Sequence, residues 1–301
     1  MSHTQAQKEK RSAALSSVVA AVGLTAFKLI VGLLTNSLGI LAEAAHSGLD
    51  LVAAVMTFFA VSVADKPADK EHQFGHGKVE NISALFETIL LLATSIWISN
   101  EAVQRLFFRK VEVETSIWSF IVMGTSIVID YTRSRILYRA AKKHNSQALE
   151  ADALHFSTDI WSSSVVILGL IGVTVARSTA GLEWMSEADA VAAMVVALIV
   201  IFISGELGYR TIQALLDTAP QGITEQIVKK VQAMKGVNDC HAVRVRPSGA
   251  RWFVDLHVTM DGNTTLNEAH ATTEKIEKKV HEILPGSEVT VHVEPLELAE
   301  K

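Results

Sequence analysis

Six stretches of this chain, near residues 14–36, 38–64, 82–104, 115–137, 150–176 and 187–211, are apolar over the full width of a bilayer. A helix needs about 20 mainly apolar residues to cross the hydrocarbon. In lipid every backbone N–H and C=O must be satisfied within the segment, so such stretches form helices. None of the loops between them is long enough to carry a packed soluble domain. The turn Thr35-Asn36-Ser37 makes the first two helices a tight hairpin. The N-terminus, MSHTQAQKEKRSAAL, is polar and basic. No small-residue cleavage site follows its first apolar run, so that run reads as a retained helix rather than a signal peptide.

Orientation follows from the basic residues in the short flanks. One side carries Lys8, Lys10, Arg11, Lys66, Lys70, Lys78, Arg133, Arg135, Arg139, Lys142 and Lys143. The other carries only Arg105, Arg109, Lys110 and Arg177. The richer side is the cytoplasmic one, so both termini are expected there, in a multi-pass protein of the inner (plasma) membrane. Charged residues make up 20% of the chain and hydrophobic ones 49%, which excludes disorder and disfavours an ordinary soluble enzyme. A formal net charge of -5 argues against nucleic acid as a partner. Cys240 is the single cysteine, so neither a disulfide framework nor a cysteine zinc finger is available.

Past Asp217-Thr218-Ala219-Pro220 the composition becomes charged and no spanning stretch remains. GITEQIVKKVQAMKG predicts an amphipathic helix, with Ile223, Ile227, Val231 and Met234 on one face and Gly236 as its stop. CHAVRVRPSG and RWFVDLHVTM alternate as two strands around a Pro-Ser-Gly turn. Leu266 to Leu284 predicts a second helix and SEVTVHVEP a third strand. The order α-β-β-α-β implies a small α+β domain with helices on one face of a sheet. The expected division is an N-terminal tail (1–13), a six-helix membrane domain (14–211), a linker (212–220) and a cytoplasmic metal-binding domain (221–301).

Ionisable residues inside spanning helices are expensive and mark function by default. The second helix contains His46 and Asp50, the fifth His155 and Asp159, both as His-x-x-x-Asp. Positions i and i+4 share a helix face, so each helix offers an imidazole and a carboxylate in one direction. One such pair is ordinary helix packing; two in separate spanning segments point to an N2O2 metal site, a donor set that suits zinc. Lys28, Glu87, Asp130 and Asp189 read instead as structural: Lys28 as snorkelling to the interface, the others as lying near helix ends or polar flanks.

Two further clusters lie outside the apolar stretches. Asp69, His72 and His76 occur within eight residues, with Gly75 and Gly77 giving the loop freedom to converge them. In the tail, His241, His257 and His292 fall in strands and His270 in a helix, while Glu294 shares a strand face with His292. His3, His144 and His281 have no companion ligands in sequence.

These residues carry a resemblance to the cation diffusion facilitator family, in particular its bacterial zinc and iron exporters. It covers about residues 12–296 and is strongest at SLGILAEAAHSGLD, FGHGKVE, ALEADALHFSTDIWSS, LLDTAP and TVHVEP. The resemblance implies a homodimer of six-helix protomers with a ferredoxin-like cytoplasmic domain, exchanging a divalent metal for protons. It implies a transport site at His46, Asp50, His155 and Asp159, and a loop site at Asp69, His72 and His76. It implies a cytoplasmic binuclear site at His241, His257, His270, His292 and Glu294, and a dimer-stabilising ion pair between Lys78 and Asp217. Two positions depart from the pattern. Some bacterial relatives have Asp where His46 stands, and Glu294 replaces a frequent Asp.

Chemistry supports the same reading. With neutral histidines the cage carries two negative charges that Zn²⁺ neutralises, and protons compete for the same donors. An unperturbed histidine pKa near 6.5 makes that competition effective at physiological pH. No covalent step is required, so the expectation is a transporter and not an enzyme, with Zn²⁺ as substrate and Cd²⁺, Fe²⁺, Mn²⁺ and Co²⁺ left open. The rivals are a membrane metal sensor or structural metalloprotein using the tail alone, and a zinc-dependent membrane enzyme. The enzyme would need an open metal position and usually HEXXH, which is absent.

Overall fold

The computed structural model describes residues 3–108, 116–178 and 185–296. Arg109 and Lys110, used above for orientation, lie outside the described residues. The chain forms two compact units, Met1–Thr211 and Ile212–Lys301.

The first unit is built from long helices: α1 (His3–Thr35), α2 (Leu38–Ala64), α3 (Lys78–Phe107), α4 (Ile117–His144), α5 (Gln147–Ser178) and α6 (Met185–Leu215). Apart from α2, whose bounds coincide with its apolar stretch, each runs past that stretch at one or both ends. Residues 3–13 form the first turns of α1, ahead of its apolar stretch. Among the described residues α1, α2, α3 and α6 are long and apolar enough to cross a membrane. The charged residues Asp130 and Arg133 of α4, and Asp152 and Asp159 of α5, lower the apolarity of the other two.

Turn chemistry sets the hairpins. Asn36 takes the left-handed conformation (φ 49°), and the Ser37 hydroxyl accepts from the Ile40 amide to cap α2. Asn145 (φ 50°) ends α4 in the same conformation, and the Ser146 hydroxyl accepts from the Leu149 amide at the start of α5. At Gly32 a side chain would sit 2.8 Å from Leu41 Cδ2, so α1 and α2 approach as closely as glycine allows. The core between α1, α2, α4 and α5 is mostly small residues, Ala13, Ala14, Ala54, Ala141, Ala148 and Ala153, closed by Leu137, Leu149 and Phe156. Large apolar side chains such as Leu34 and Phe202 face outward instead.

The second unit contains α7 (Ile223–Gln232), β1 (Asp239–Ser248), β2 (Arg251–Met260), α8 (Leu266–Ile283) and β3 (Ser287–Pro295). The sheet order is β1-β2-β3, with β1 antiparallel and β3 parallel to β2. The parallel pair needs a crossover, which α8 supplies. Thr265 and Glu268 form a reciprocal capping box at its start. Ile227 and Val231 of α7 and Ile276 and Val280 of α8 pack on Val254, Leu256 and Val258 of the sheet. Both helices therefore cover one sheet face, and the other is open.

Candidate metal centres

The alternation that buries Leu256 and Val258 turns His257 between them to the open face, and the same rule turns His292 and Glu294 away from Val291 and Val293. His241 and His257 are opposite each other across β1 and β2, as are His257 and His292 across β2 and β3. A bulge makes this possible on β1. Between His241 and Arg244 the register slips by one residue, with Ala242 at φ 50°. Cys240 and Val245 both point into the core although they are an odd number of positions apart. The result is a three-histidine row clasped by one carboxylate. Glu294 lies 3.2 Å from His241 Nε2, 2.8 Å from His257 Nδ1 and 3.7 Å from His292 Nε2. The hydrogen bond with His257 holds the Glu294 carboxyl below its ordinary value. His241 Nδ1 also meets Asp239 at 3.0 Å. Cys240 takes no part: it is buried, and burial pushes its thiol up to about 11.

His270 does not join this row within one chain. It lies on α8, in the helical layer, and its partner is Glu274 at 3.8 Å on its own helix. Within one chain His270 therefore stands apart from the other four residues expected of the tail site, because the sheet separates the helical face from the open one.

In the loop after α2, the Asp69 carboxylate accepts from the backbone amides of Glu71 at 3.0 Å and His72 at 2.7 Å. The His72 amide in particular holds the Asp69 carboxyl below its ordinary value. Gly75 (φ 76°) reverses the chain so that His76 returns to the same carboxylate, 3.3 Å from Asp69 Oδ2, while His72 Nδ1 is 3.4 Å from Oδ1. The three side chains expected from sequence thus converge on one point.

Inside the helical unit, α2 and α5 bring their His-x-x-x-Asp faces together. His155 Nε2 is 3.1 Å from Asp50 Oδ1 and 3.6 Å from Asp159 Oδ2. His46 Nε2 is 3.8 Å from Asp50 Oδ1 and 3.8 Å from Asp159 Oδ1. Each imidazole therefore faces both carboxylates, one on its own helix and one on the other. His155 packs edge-on to Phe156, over whose ring the Arg133 guanidinium lies at 3.4 Å.

Three of the residues set aside as structural are placed differently from expectation. Lys28 does not snorkel; it is buried and bonded to Glu43 at 3.1 Å, because a carboxylate one turn from His46 stands within its reach. Glu87 and Asp130 are buried along α3 and α4 rather than near ends or flanks, with Thr57 and Arg133 as partners. Asp189 lies in α6. Lys78 opens α3 and Asp217 follows α6 in a left-handed conformation (φ 59°). Among the three isolated histidines, His144 meets Glu9 at 2.9 Å and His281 caps onto the Glu277 carbonyl at 2.7 Å, both structural contacts.

Sequence reasoning overlooked two buried networks. Lys10 bonds Asp65 at 2.6 Å and Glu80 at 2.8 Å, and Glu80 also accepts from Ser146. Ser17 donates to Asp152 at 3.3 Å and accepts from Arg133 at 3.1 Å. The spacing of Asp152 three residues before His155 was the available signal, since i and i+3 share a helix face.

A helical unit with charged ligands at membrane depth, joined in one chain to a ligand-bearing α+β unit, defines a membrane carrier of metal cations. Residues 14–216 match the cation efflux transmembrane domain and residues 219–296 the cytoplasmic domain of cation efflux proteins. The chain belongs to the cation efflux family, the cation diffusion facilitators, and is a multi-pass cation efflux transporter. The cation-efflux pump FieF of Cronobacter sakazakii is 30% identical over 98% of this chain and 95% of its own length. FieF of Salmonella arizonae is 28% identical over 94% and 92%. The metal-bound C-terminal domain of the CzcD transporter from Thermotoga maritima is 32% identical, over 26% of this chain and 92% of its own, with a TM-score of 0.24.

Proposed function

We propose that the protein exports Zn²⁺ from the cytoplasm in exchange for protons, by alternating access, with His46, Asp50, His155 and Asp159 as the transport site. The observation that carries this is the convergence of two imidazoles and two carboxylates from α2 and α5. Two nitrogen and two oxygen donors suit tetrahedral zinc, and four protein ligands strip the ion of water. All four donors must be deprotonated to bind metal, so protons and Zn²⁺ exclude one another. A face open to the more acidic side loses metal; a face open to the cytoplasm reloads.

The rest of the reading follows from this. All six long helices cross the inner membrane, both termini are cytoplasmic, and the domains divide at 1–13, 14–211, 212–220 and 221–301. The protein works as a homodimer in which Lys78 and Asp217 form a stabilising ion pair. Asp69, His72 and His76 bind metal at the loop. His241, His257, His292 and Glu294 offer donors that fit zinc on the tail. His270, in the helical layer, reaches that site only across a pair of tails. A sensor that used the tail alone would have no need of four ligands between helices, and the cage leaves no open position for the water of a hydrolase.

Purified protein in sealed liposomes with a pH-sensitive dye inside tests this. Added Zn²⁺ should enter the lumen and move protons the other way; metal uptake without proton movement, or no uptake, would overturn it.

A further inference from the structure

Next to the α2–α5 donors is a second set of carboxyls that the transport site does not use. Glu87 on α3 and Asp152 on α5 are both fully enclosed, at 0% exposure. One Glu87 oxygen accepts from the Thr57 hydroxyl of α2; the other, Oε2, has no partner. One Asp152 oxygen accepts from Ser17 of α1; the other, Oδ1, has none. Arg133 on α4 serves the group indirectly, bonding Asp130 at 3.1 Å and the Ser17 hydroxyl at 3.1 Å.

The charges acting on Glu87 are Asp152 and His155 from α5 and Arg133 from α4, while α2 presents Thr57. Those acting on Asp152 are Arg133, His155 and Asp50. From α6, Gly208 lies against the neighbouring Thr88 and brings no side chain, and Glu206 lines a crevice against α4 and α5 instead. Asp130 faces Arg133, Asp159, Asp50 and Lys28, the last already bonded to Glu43. With His155 neutral, the three carboxyls Asp130, Asp152 and Glu87 therefore share one guanidinium. Were all three ionised, two negative charges would stand uncompensated in a dry interior, where an isolated charge is not tolerated. A proton resolves both anomalies. It removes a charge, and it supplies an O–H to an oxygen that otherwise lacks a partner.

We propose that Glu87 and Asp152 form a proton-holding carboxyl pair coupled electrostatically to the transport site. A divalent ion at Asp50 and His155 favours the ionised pair and expels its proton; departure of the ion calls the proton back. Part of the exchanged charge is then carried by groups that never touch the metal. This rests on the antiport reading above and adds a carrier to it.

The test uses the full-length protein in liposomes, with zinc flux and proton movement read on the same vesicles, and zinc binding measured separately in detergent. Glu87→Gln keeps the shape but cannot ionise. It should still bind zinc, yet lose about one proton per zinc moved and lose the steepest part of its dependence on the pH gradient. Asp152→Asn should act in the same direction. If both variants match the wild type in protons per zinc and in pH profile, the pair is structural and the proposal falls. Should Glu87→Gln not fold, Thr57→Val, which leaves the carboxyl but removes its recorded partner, reads the same quantity: a displaced pH profile supports the proposal and an unchanged one overturns it. A wild type that moves zinc without protons defeats the antiport reading itself. A wild type that couples, beside variants that couple equally, defeats only this addition.

Discussion

The donors between α2 and α5 and those on the open face of the tail sheet are the same chemistry, imidazole and carboxylate, in opposite surroundings. His155, Asp50 and Asp159 expose 5%, 11% and 19% of their side chains, whereas His257 and Glu294 expose 38% and 35%; His46, at 38%, is the one cage donor as open as the tail. If the tail donors bind metal as proposed, water can replace it there at little cost, so that site can stand empty and respond to concentration. The two carboxylates of the cage have no such substitute and must always hold positive charge, as metal or as protons. Burial of Asp50, His155 and Asp159 is thus what distinguishes the proposed exchange site from the more open donors of the tail.

The comparison breaks most sharply at Asp159. Asp159→Ala should reduce zinc flux in liposomes to the level of empty vesicles while the protein remains folded. Flux near the wild-type rate would remove the cage from the mechanism. On the tail, a soluble fragment of residues 213–301 should be stabilised by zinc, by roughly 3 kcal/mol at a hundredfold excess over Kd. His257→Ala should abolish the shift in Tm; equal melting of both forms with and without Zn²⁺ would deny the tail a metal site.

Changing the cage without emptying it sharpens the contrast. His46→Asp turns N2O2 into NO3 and adds a negative charge, giving a looser, more anionic cage. The preference for Zn²⁺ over Cd²⁺ in competition flux should narrow, by roughly tenfold. An unchanged ratio would show that His46 does not set selectivity. The smallest effect concerns acid. The folded Glu294 carboxyl sits below its ordinary value of 4.5. Its contribution to tail stability is therefore complete above that value and lost as pH falls through the lower, folded one. Urea melts of the metal-free fragment should show a shallower acid limb in Glu294→Gln than in the wild type; superimposable limbs would mean that the His257 contact contributes nothing in solution.

Periodicity carried most of the fold, because apolar runs and alternating strands are local patterns. The spans of β2 and β3 follow RWFVDLHVTM and SEVTVHVEP residue for residue. The convergence of His46, Asp50, His155 and Asp159 was legible because i and i+4 fix a direction whatever the packing. What remained hidden depended on partners far apart in sequence. Lys28 seemed free to reach the interface until Glu43 stood beside it, and Asp152 is meaningful only once Ser17 and Arg133 have come to it. The layer in which His270 lies was hidden for a related reason: strand parity assigns a face to His257 and His292, but no local pattern says on which side of the sheet a helix will lie.

The bulge at Ala242 has a consequence for how the tail tolerates change. A strand is a two-phase object, and this one switches phase midway, so that its first half presents His241 outward and its second half Val245 inward. The bulge absorbs the one surplus residue between Cys240 and Val245. Loss of one residue there would remove the bulge and keep both faces on a plain strand, whereas loss of two would invert half the strand, driving either an imidazole into the apolar layer or a valine out of it. The left-handed backbone at Ala242, costing an L-residue about 1 kcal/mol, is what it takes to keep a ligand row and a hydrophobic core on the same ten residues.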